Sequence, residues 1–556
     1  MPVQDELEQP SLATRLGALV KDPRALIEDP KRLVPFAAIL LVLGVIGLFA
    51  TGGSQSGSVT TGGSGSDSAT GLEPGEAGEN SELATGGTPG GPTSGRTSRR
   101  GGTNPGGGTK VGVDVPISET EMAVGILYVT NPGASNDAAG FTGSGEDDQL
   151  DQKKAWDLMV DEVNKKPPFG RKVKPVYFST SEENAIAKGD ALWEEMCAHW
   201  TQDNKVFLAW VAGPEPLRAC MTKARVAQVG SGSGSSYEKT FKDYPWYIEH
   251  NSAALDRMSV FEVDQLWERG YFQSCRPDSK QELSCVDGKP RIALLRYQYP
   301  AHLAAAANMK KALASHGLAL CDGCEFEATH SDLNLAEQLD DANEAESMIL
   351  SCKSPHTANS SVPGTPPGPC THVMFLGGSG CRLATFYAWR AEDQGYHPRL
   401  GLNSVDCATN MRDFARNNFR DDKYYNQFTA SLLVGHDPGD FEIRPSGFQE
   451  CKAVFEKGGF TFGGPGDEDN SKQDQIPGYC DTAWYHQAAF NAAGKDLDLN
   501  AWLNGVANTG LIKSAGALLM RTTATRHDGA SAVRIGDWDA GGNCRCWKVV
   551  TGDVPV

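Results

Sequence analysis

The 556-residue chain is short of positive charge. Its 51 lysines and arginines stand against 70 aspartates and glutamates, which gives a formal net charge of −19. Nucleic acids and anionic lipid surfaces attract basic proteins, so neither is expected as the main partner. The simpler interpretation of the acidic excess is a well-solvated, soluble surface.

Motifs for catalysis and nucleotide binding are also lacking. The chain has no G-x-x-x-x-G-K-[ST] phosphate loop, and neither G-x-G-x-x-G nor H-E-x-x-H occurs in a suitable strand or helix context. The sequence GGSGC comes near the serine hydrolase motif G-x-S-x-G but ends in Cys381, and GSGSG has Gly232 where the nucleophile would stand. The 11 histidines are dispersed. We therefore expect neither an enzyme nor a bound cofactor.

Only one apolar run is long enough to span a membrane. Leu33 to Ala50 is 18 residues without a charge, about 27 Å as a helix. Five basic residues lie between Arg15 and Arg32, whereas the next one after the run is Arg96. This asymmetry predicts a single-pass protein of the cell membrane, with residues 1–32 in the cytoplasm and the rest outside. A cleaved signal peptide is the alternative, although a 32-residue leader is long for one.

Residues 51–112 are dominated by Gly, Ser and Thr, as in TGGSQSGSVTTGGSGSDSATG. Such a segment has almost nothing to bury, so we expect a disordered linker. With a flexible chain's reach of about 40 to 45 Å, it would hold the remainder of the protein away from the membrane.

No cysteine precedes Cys197, and all 14 lie between Cys197 and Cys546. An even number beyond a membrane helix indicates disulfides. Neighbours in sequence are the economical pairs: Cys197 with Cys220, Cys275 with Cys285, Cys352 with Cys370, Cys381 with Cys407, and Cys451 with Cys480. A metal site at CDGC (Cys321, Cys324) or CRC (Cys544, Cys546) is the weaker interpretation, because zinc sites need two ligand pairs at set spacings.

From about Glu119, apolar strands alternate with amphipathic helices. MAVGILYVTN (Met122 to Asn131) predicts a buried strand, and a helix follows with Trp156, Met159, Val160 and Val163 at i, i+3, i+4 and i+7. The pattern repeats, and a second series starts at Pro290. The fold class is therefore α/β, with two doubly wound, Rossmann-like lobes of parallel strands covered by helices.

Six loops at predicted strand ends are rich in Gly, Ser, Asn and Tyr. They are TNPGASN, AGPEP, GSGSGSSY, YQYP, GGSG and NSVD, which begin at Thr130, Ala212, Gly230, Tyr297, Gly377 and Asn403. Any one of them is more simply a turn. Open α/β sheets bind ligands at the carboxyl ends of their strands, and six such loops from two lobes favour a ligand cleft.

Three stretches carry a resemblance to a known family: GILYVTNPGASN with AWDLMVDEVNKKPPFGRKVKPVYF, then VMFLGGSGCRLATFYAWRAEDQG, then PGYCDTAWYHQAAFNAAG. Together they resemble type I periplasmic solute-binding proteins, the Leu/Ile/Val-binding group of ABC importers, over residues of about 119 to 550. An uncleaved membrane anchor on such a protein would suit an actinobacterium, where a free binder would diffuse away.

The resemblance implies a two-lobed clamp with a hinge. Its N-terminal lobe would comprise residues 119–285 and 426–525, and its C-terminal lobe residues 286–425 and 526–556. The chain would return to the first lobe around Thr429 to Gly435.

Ligand contacts are carried over from the family by motif position. In the first lobe they are Asn131, Gly213, Ser231 and Ser233; in the second they are Tyr297, Tyr299, Ser379, Asn403 and Asp406. Asp406 would meet the ammonium of an amino-acid ligand. Trp156 is expected to matter only for folding.

Two functions follow from the resemblance. The first is a receptor that captures a small polar solute (an amino acid, amide or short peptide) for an ABC permease and its ATPase. The alternative is a membrane-anchored sensor or cell-envelope interaction protein that uses the same clamp without transport.

Overall fold

The computed structural model describes residues 117–134, 146–231, 236–273, 290–329, 335–351, 370–376, 382–404, 428, 431–437, 441, 444–463, 470–539 and 546–556. The predicted membrane helix and linker lie outside these residues. Among the described residues, no helix combines the length and apolar character needed to cross a bilayer. Residues 113–556 group into one compact unit.

The first lobe is built on a five-stranded parallel sheet with strand order β2-β1-β3-β4-β5. The strands are β1 (Glu121–Val129), β2 (Lys172–Thr180), β3 (Leu208–Trp210), β4 (Ala227–Gly230) and β5 (Tyr247–Glu249). The helices between them are α1 (Gln152–Lys165), α2 (Glu182–Lys188), α3 (Asp190–Ala198), α4 (Glu215–Lys223) and α5 (Glu238–Asp243).

Helix α1 shows how the sequence specifies these elements. Its N-cap Asp151 accepts a hydrogen bond from the backbone N–H of Lys154 at 2.9 Å. Met159, Val160 and Val163 are buried against the sheet, as the apolar spacing predicts. The chain then turns through Gly170, whose φ of 78° suits glycine, and enters β2.

The second lobe is built on an eight-stranded sheet with order β12-β11-β10-β9-β8-β6-β7, and β13 pairs with β11. Its strands are β6 (Ile292–Tyr297), β7 (Leu320–Ala328), β8 (His372–Leu376), β9 (Arg399–Asn403), β10 (Leu432–Gly435), β11 (Ala532–Trp538), β12 (Trp547–Val549) and β13 (Val554–Pro555). Strands β6 to β10 are parallel, and β11 runs antiparallel to its neighbours. Its helices are α6 (Leu255–Glu268), α7 (Pro300–Ser315), α8 (Leu335–Leu350) and α9 (Arg382–Asp393).

Three further helices lie between β10 and β11 and belong to the first lobe: α10 (Ser446–Lys457), α11 (Asn470–Ala493) and α12 (Leu499–Ala507). Their buried side chains, including Phe448, Tyr485 and Trp502, share one hydrophobic core with Val124 of β1 and Ile248 of β5. The predicted class of two α/β lobes is confirmed.

The lobe boundaries differ from those expected. Helix α6 was assigned to the first lobe, yet Leu255 and Leu266 pack in the core of the second sheet with Leu294. The chain therefore crosses near residue 250 instead of 285. The chain was also expected to return to the first lobe at Thr429 to Gly435. It returns after Gly435, because β10 pairs with β9 and β11 inside the second sheet.

Two predicted disulfides are present, Cys197–Cys220 and Cys451–Cys480. The predicted Cys352–Cys370 bond is not formed, because Cys370 is a buried free thiol. Its Sγ lies 3.6 Å from Sγ of Cys321 instead, brought there by the strand order β8-β6-β7. The predicted pairs Cys275–Cys285 and Cys381–Cys407 lie outside the described residues.

Candidate functional site

A cavity of about 420 Å³ opens at the carboxyl ends of β1, β3 and β4 in the first lobe. Its lining includes Val129 at the end of β1, Trp210 and Val211 at the end of β3, and Ser231 directly after β4. Helices α1 and α11 close its sides. This is the edge of a parallel sheet where α/β folds place their ligands.

Three aromatic side chains form one wall of this first-lobe cavity. The ring of Trp156 on α1 lies 5.6 Å from that of Trp210 and 4.6 Å from that of Tyr479 on α11, between ring centroids. Trp210 is buried, whereas Trp156 and Tyr479 are half-buried, and all three line the cavity. The wall can therefore offer flat apolar faces to a ligand.

The side chain of Trp210 is held in place by a hydrogen bond to a buried histidine. Its Nε1–H donates a hydrogen bond to Nδ1 of His486, at 3.1 Å. Burial lowers the pKa of His486 to about 3, so the imidazole is neutral and Nδ1 is free to accept. The indole orientation is thus fixed by a buried, uncharged partner.

The polar groups of the cavity are neutral. Gln152 Oε1 accepts from the backbone N–H of Val129 at 2.9 Å, and Ser231 Oγ accepts from Nδ2 of Asn251 at 2.8 Å. The Thr482 hydroxyl donates to the carbonyl of Gly478 at 2.7 Å. Among the described residues that line the cavity, none carries a formal charge.

Gly230 is required by the close packing of two strand ends. A Cβ at Gly230 would lie 2.2 Å from the backbone nitrogen of Ala212, so no larger residue fits without moving the backbone. The cavity wall between β3 and β4 therefore depends on this glycine.

The predicted first-lobe contacts fall in different places. Ser231 lines the cavity, whereas Ser233 lies outside the described residues. Asn131 caps α2 instead: its Oδ1 accepts from the N–H of Glu182 at 2.9 Å, and its Nδ2 donates to the Glu183 carboxylate at 2.8 Å. Gly213 faces α4, where a Cβ would meet Leu217 at 2.4 Å.

Two of the predicted second-lobe contacts, Tyr297 and Asn403, lie in the interior of that lobe. Tyr297 is fully buried and donates its hydroxyl proton to Oε1 of Gln338 at 2.7 Å. Asn403 is also fully buried and donates from Nδ2 to Oε2 of Glu262 at 2.8 Å. Both residues belong to buried strands, Tyr297 to β6 and Asn403 to β9, so their side chains are part of the core of the second lobe.

Tyr299 is half-buried at the N-terminus of α7 and stacks on Tyr297 with ring centroids 5.8 Å apart. The two remaining candidates, Ser379 and Asp406, lie outside the described residues.

Sequence reasoning missed Trp156 and Tyr479 as cavity residues. Trp156 was assigned to folding alone, but its ring both packs on Trp210 and lines the cavity. The available signal was its position in the first turns of α1, since a helix that follows a parallel strand starts at the ligand edge of the sheet.

The sulfur atoms of Cys321, Cys324 and Cys370 lie within 4.8 Å of one another, the only cluster of potential metal ligands among the described residues. Cys324 is already in a disulfide, which leaves two thiols where a structural zinc site uses four ligands. The cluster therefore does not fit a zinc ion in this state.

No family model and no curated protein matches the sequence. The fold is similar to solved solute-binding proteins of ABC transporters. One from R. palustris, in complex with 4-hydroxybenzoate, has a TM-score of 0.51 and 11% identity over 78% of this chain and 96% of that chain. One from Rhodopseudomonas palustris HaA2, with p-hydroxybenzoic acid, has a TM-score of 0.51 and 11% identity over 78% and 97%.

A third, from Rhodopseudomonas palustris BisB5 with 3,4-dihydroxybenzoic acid, has a TM-score of 0.50 and 12% identity over 78% of this chain and 97% of that chain. Identity this low establishes the fold alone. The chain has the two-lobed fold of type I periplasmic solute-binding proteins, as the sequence resemblance implied.

Proposed function

We propose that the chain is an extracytoplasmic receptor that captures a small polar solute between its two lobes and delivers it to an ABC importer. The first-lobe cavity carries this proposal. Its volume of about 420 Å³ lies within the usual range of small-molecule sites, and it combines apolar walls with a few hydrogen-bonding groups. It also lies at the sheet edge where this fold type binds ligands.

The lining of the cavity indicates which part of the ligand the first lobe would contact. Amino acids, amides and short peptides are candidates, and so are hydroxybenzoates, which the three similar structures bind. The described lining has flat rings and neutral hydroxyl and amide groups but no formal charge. We infer that the ligand presents a planar or apolar part to the first lobe and that its charged groups face elsewhere.

Capture would couple to closure of the two lobes. The chain crosses between the lobes after β5, after β10 and before β11, so the lobes are joined by several short connections. A ligand that contacts both lobes shifts the equilibrium toward the closed form by its differential affinity for that form.

The cellular setting belongs to the same proposal. The apolar segment Leu33 to Ala50 would anchor the protein with its N-terminus in the cytoplasm, and the receptor would work outside the membrane. Its partners would be an ABC permease and its ATPase.

Binding can be tested with the purified full chain by thermal shift and calorimetry. The panel contains leucine, glutamine, a dipeptide, acetamide and 4-hydroxybenzoate. We expect at least one solute to bind saturably and Trp156→Ala to weaken that binding. The matched control is Trp193→Ala, which removes another half-buried indole on α3, outside the cavity. A folded chain that binds none of the panel, or equal weakening by both variants, would contradict the proposed site.

Co-purification from native membranes tests the transport role separately. A permease and an ATPase in the complex support an importer receptor. A kinase or a cell-wall protein in their place would favour the sensor alternative even if a solute binds.

A further inference from the structure

A second and larger cavity, of about 890 Å³, lies where the chain crosses between the two lobes. Its walls come from both lobes, since Phe241 belongs to α5 of the first lobe and Phe261 belongs to α6 of the second. Residues 524–528, from the crossing before β11, line it as well. Among the described residues, this hinge cavity shares none with the lining of the first-lobe cavity.

The two crossings beside the hinge cavity are hydrogen-bonded to each other. The N–H of Glu249, at the end of β5, donates to the carbonyl of His527 at 3.0 Å, and the N–H of Gly529 donates to the carbonyl of Glu249 at 2.7 Å. The carboxylate of Asp528 accepts from the guanidinium of Arg257 on α6. A ligand in the cavity would therefore contact the connections about which the two lobes move.

Two arginines that line the hinge cavity have hydrogen-bond donors to spare. Arg257 donates from Nη2 to Asp528, but its Nε and Nη1 are buried and have no partner among the described residues. Arg526 donates from Nη1 and Nη2 to the carbonyls of Val556 and Arg521, at 3.1 Å each. Its Nε is likewise buried without a partner there. Such donors favour the entry of an acceptor, because a buried N–H without one is unfavourable.

The two guanidinium groups also repel each other. Burial lowers the pKa of Arg526, and the positive charge of Arg257 acts in the same direction, although Asp528 opposes it. A further carboxylate between the two arginines would relieve this repulsion. Carboxylate is also the group whose two oxygens match the N–H fork of an arginine.

The acidic side chains of the lining already have partners. Glu238 pairs with Lys242 at 2.7 Å. Asp264 lies 2.8 Å from Nε2 of His316. Asp256 accepts from the backbone N–H of Glu238 at 3.2 Å. In the described lining, four carboxylates stand against three cationic side chains, so a ligand with several negative charges, such as a diphosphate, would be repelled. The charges therefore suit a single carboxylate.

The rest of the lining includes apolar surface from both lobes. Phe241 and Pro245 of the first lobe and Val260 and Phe261 of the second are all half-buried. Covering such surface with an apolar group is favourable, and the rings offer flat faces for it. An apolar body attached to the carboxylate fits this part of the cavity.

We propose that the hinge cavity is a second ligand site, which takes a small molecule with one carboxylate and an apolar body. The carboxylate would lie between Arg257 and Arg526, after small rotations of both guanidinium groups turn the spare N–H donors toward it. The apolar body would pack between α5 and α6. Because these helices belong to different lobes, the ligand would bind the open and closed forms unequally and so change the affinity for a captured solute. Only this last effect rests on the proposed receptor function.

Binding is tested by calorimetry with the purified full chain. The probe is 3-phenylpropionate, and its neutral counterpart is 3-phenylpropionamide. We expect the acid to bind saturably and the amide to bind about tenfold more weakly, because the amide lacks the charge that the two arginines bind. Equal binding of acid and amide, or no saturable binding of the acid, would overturn the proposal.

Two variants change the site in different ways. Arg526→Gln should weaken binding of the acid about tenfold. Because Arg526 also holds Val556, the second variant is Val260→Trp, which fills the cavity from α6, keeps both arginines and should also abolish binding. The matched control is Arg444→Gln, which removes a half-buried arginine paired with Asp474 outside the cavity. Equal weakening by this control and by Arg526→Gln would contradict the site.

Hydrogen exchange locates the bound probe. Saturating 3-phenylpropionate should slow amide exchange in α5, α6 and residues 524–528 together, and protection confined to one lobe would contradict a site between them. If Trp156→Ala abolishes binding of the acid and Arg526→Gln does not, the acid occupies the first-lobe cavity and the proposal is wrong.

The coupling is measured with any solute of the panel that binds. Its Kd should differ between the free chain and the chain saturated with 3-phenylpropionate, and an unchanged Kd would refute the coupling. Binding of the probe itself does not require that any panel solute binds. The hinge site and the proposed receptor function can therefore fail separately.

Discussion

Asp481 of α11 holds the segment at Ser514 to Ala517 against the first lobe, and its charge makes this contact sensitive to pH. The carboxylate is fully buried. One oxygen accepts from the N–H of Ala515 at 2.6 Å, and the other accepts from the hydroxyl of Ser514 at 2.7 Å and the N–H of Gly516 at 2.9 Å. The three donors all belong to the segment, so the single side chain of Asp481 holds it.

Burial raises the pKa of Asp481 to about 6, from its ordinary value of 3.8, because the three hydrogen bonds only partly replace the lost hydration of the charge. The folded protein thus holds this proton more tightly than the unfolded chain does. The resulting stabilisation is complete below pH 3.8 and is lost as the pH rises through 6. At about 1.36 kcal/mol per pKa unit, the change amounts to about 3 kcal/mol.

Asp481→Asn tests this reasoning, because asparagine keeps the shape of the side chain but does not titrate. The free energy of unfolding is measured by urea denaturation of both proteins between pH 4 and 7.5. We expect the stability of the unsubstituted protein relative to the variant to fall by about 3 kcal/mol across this range. The control is Asp496→Asn, at an exposed position just after α11.

A relative stability that is flat, or that rises with pH, would refute the reasoning about Asp481. It would mean that the three hydrogen bonds match or outweigh the effect of burial, so that the pKa of the folded carboxyl lies at or below its ordinary value of 3.8.

Three other predictions concern the first-lobe cavity. Trp156→Ala should weaken binding of the solute about tenfold by calorimetry, since covering about 60 Å² of indole at about 25 cal/mol/Å² is worth about 1.5 kcal/mol; Trp156→Phe should retain most of the affinity. Gly230→Ala should lower the Tm and abolish binding, because its Cβ would lie 2.2 Å from the nitrogen of Ala212; an unchanged Tm would contradict the tight packing. Burial lowers the pKa of His486 to about 3, so its contribution to stability should be lost as the pH falls from 6.5 toward 3; His486→Phe should flatten that part of the unfolding profile, and an unaltered profile would rule this out.

Much of the first lobe could be predicted from sequence because its patterns are local. The apolar run at Met122 and the spacing of Met159, Val160 and Val163 correspond to β1 and the buried face of α1. Such periodicity depends on neighbours within a few turns, so the residues themselves contain the information.

The lobe boundaries required long-range information. Helix α6 follows the first lobe without a break in pattern, and its amphipathic spacing does not reveal which sheet its apolar face covers. Strand β10 likewise reads as one more buried strand, and only its pairing with β9 and β11 assigns it to the second sheet.

The candidate site could be predicted as an edge of the sheet but not residue by residue. Ser231 lines the cavity because it directly follows β4. Tyr297 and Asn403 are the last residues of their strands, not the first residues of the loops that follow, and both are fully buried. Tyr479 comes from α11, almost 250 residues after β4, so only the fold brings it to the cavity. The cysteines show the same limit. Proximity in sequence predicts that Cys370 pairs with Cys352, whereas the strand order of the second sheet places Cys370 beside Cys321.

The first lobe consists of two separated pieces of chain, and this has a consequence for the order in which the protein folds. Val124 and Ile248 cannot complete their core until Phe448, Tyr485 and Trp502 have been synthesised and have packed against them. The second lobe is likewise incomplete until β11 arrives from residues 532–538. Neither lobe can finish folding as the chain emerges, so nearly all of the chain must be made before either core is complete. We expect a strong dependence on chaperones during that interval.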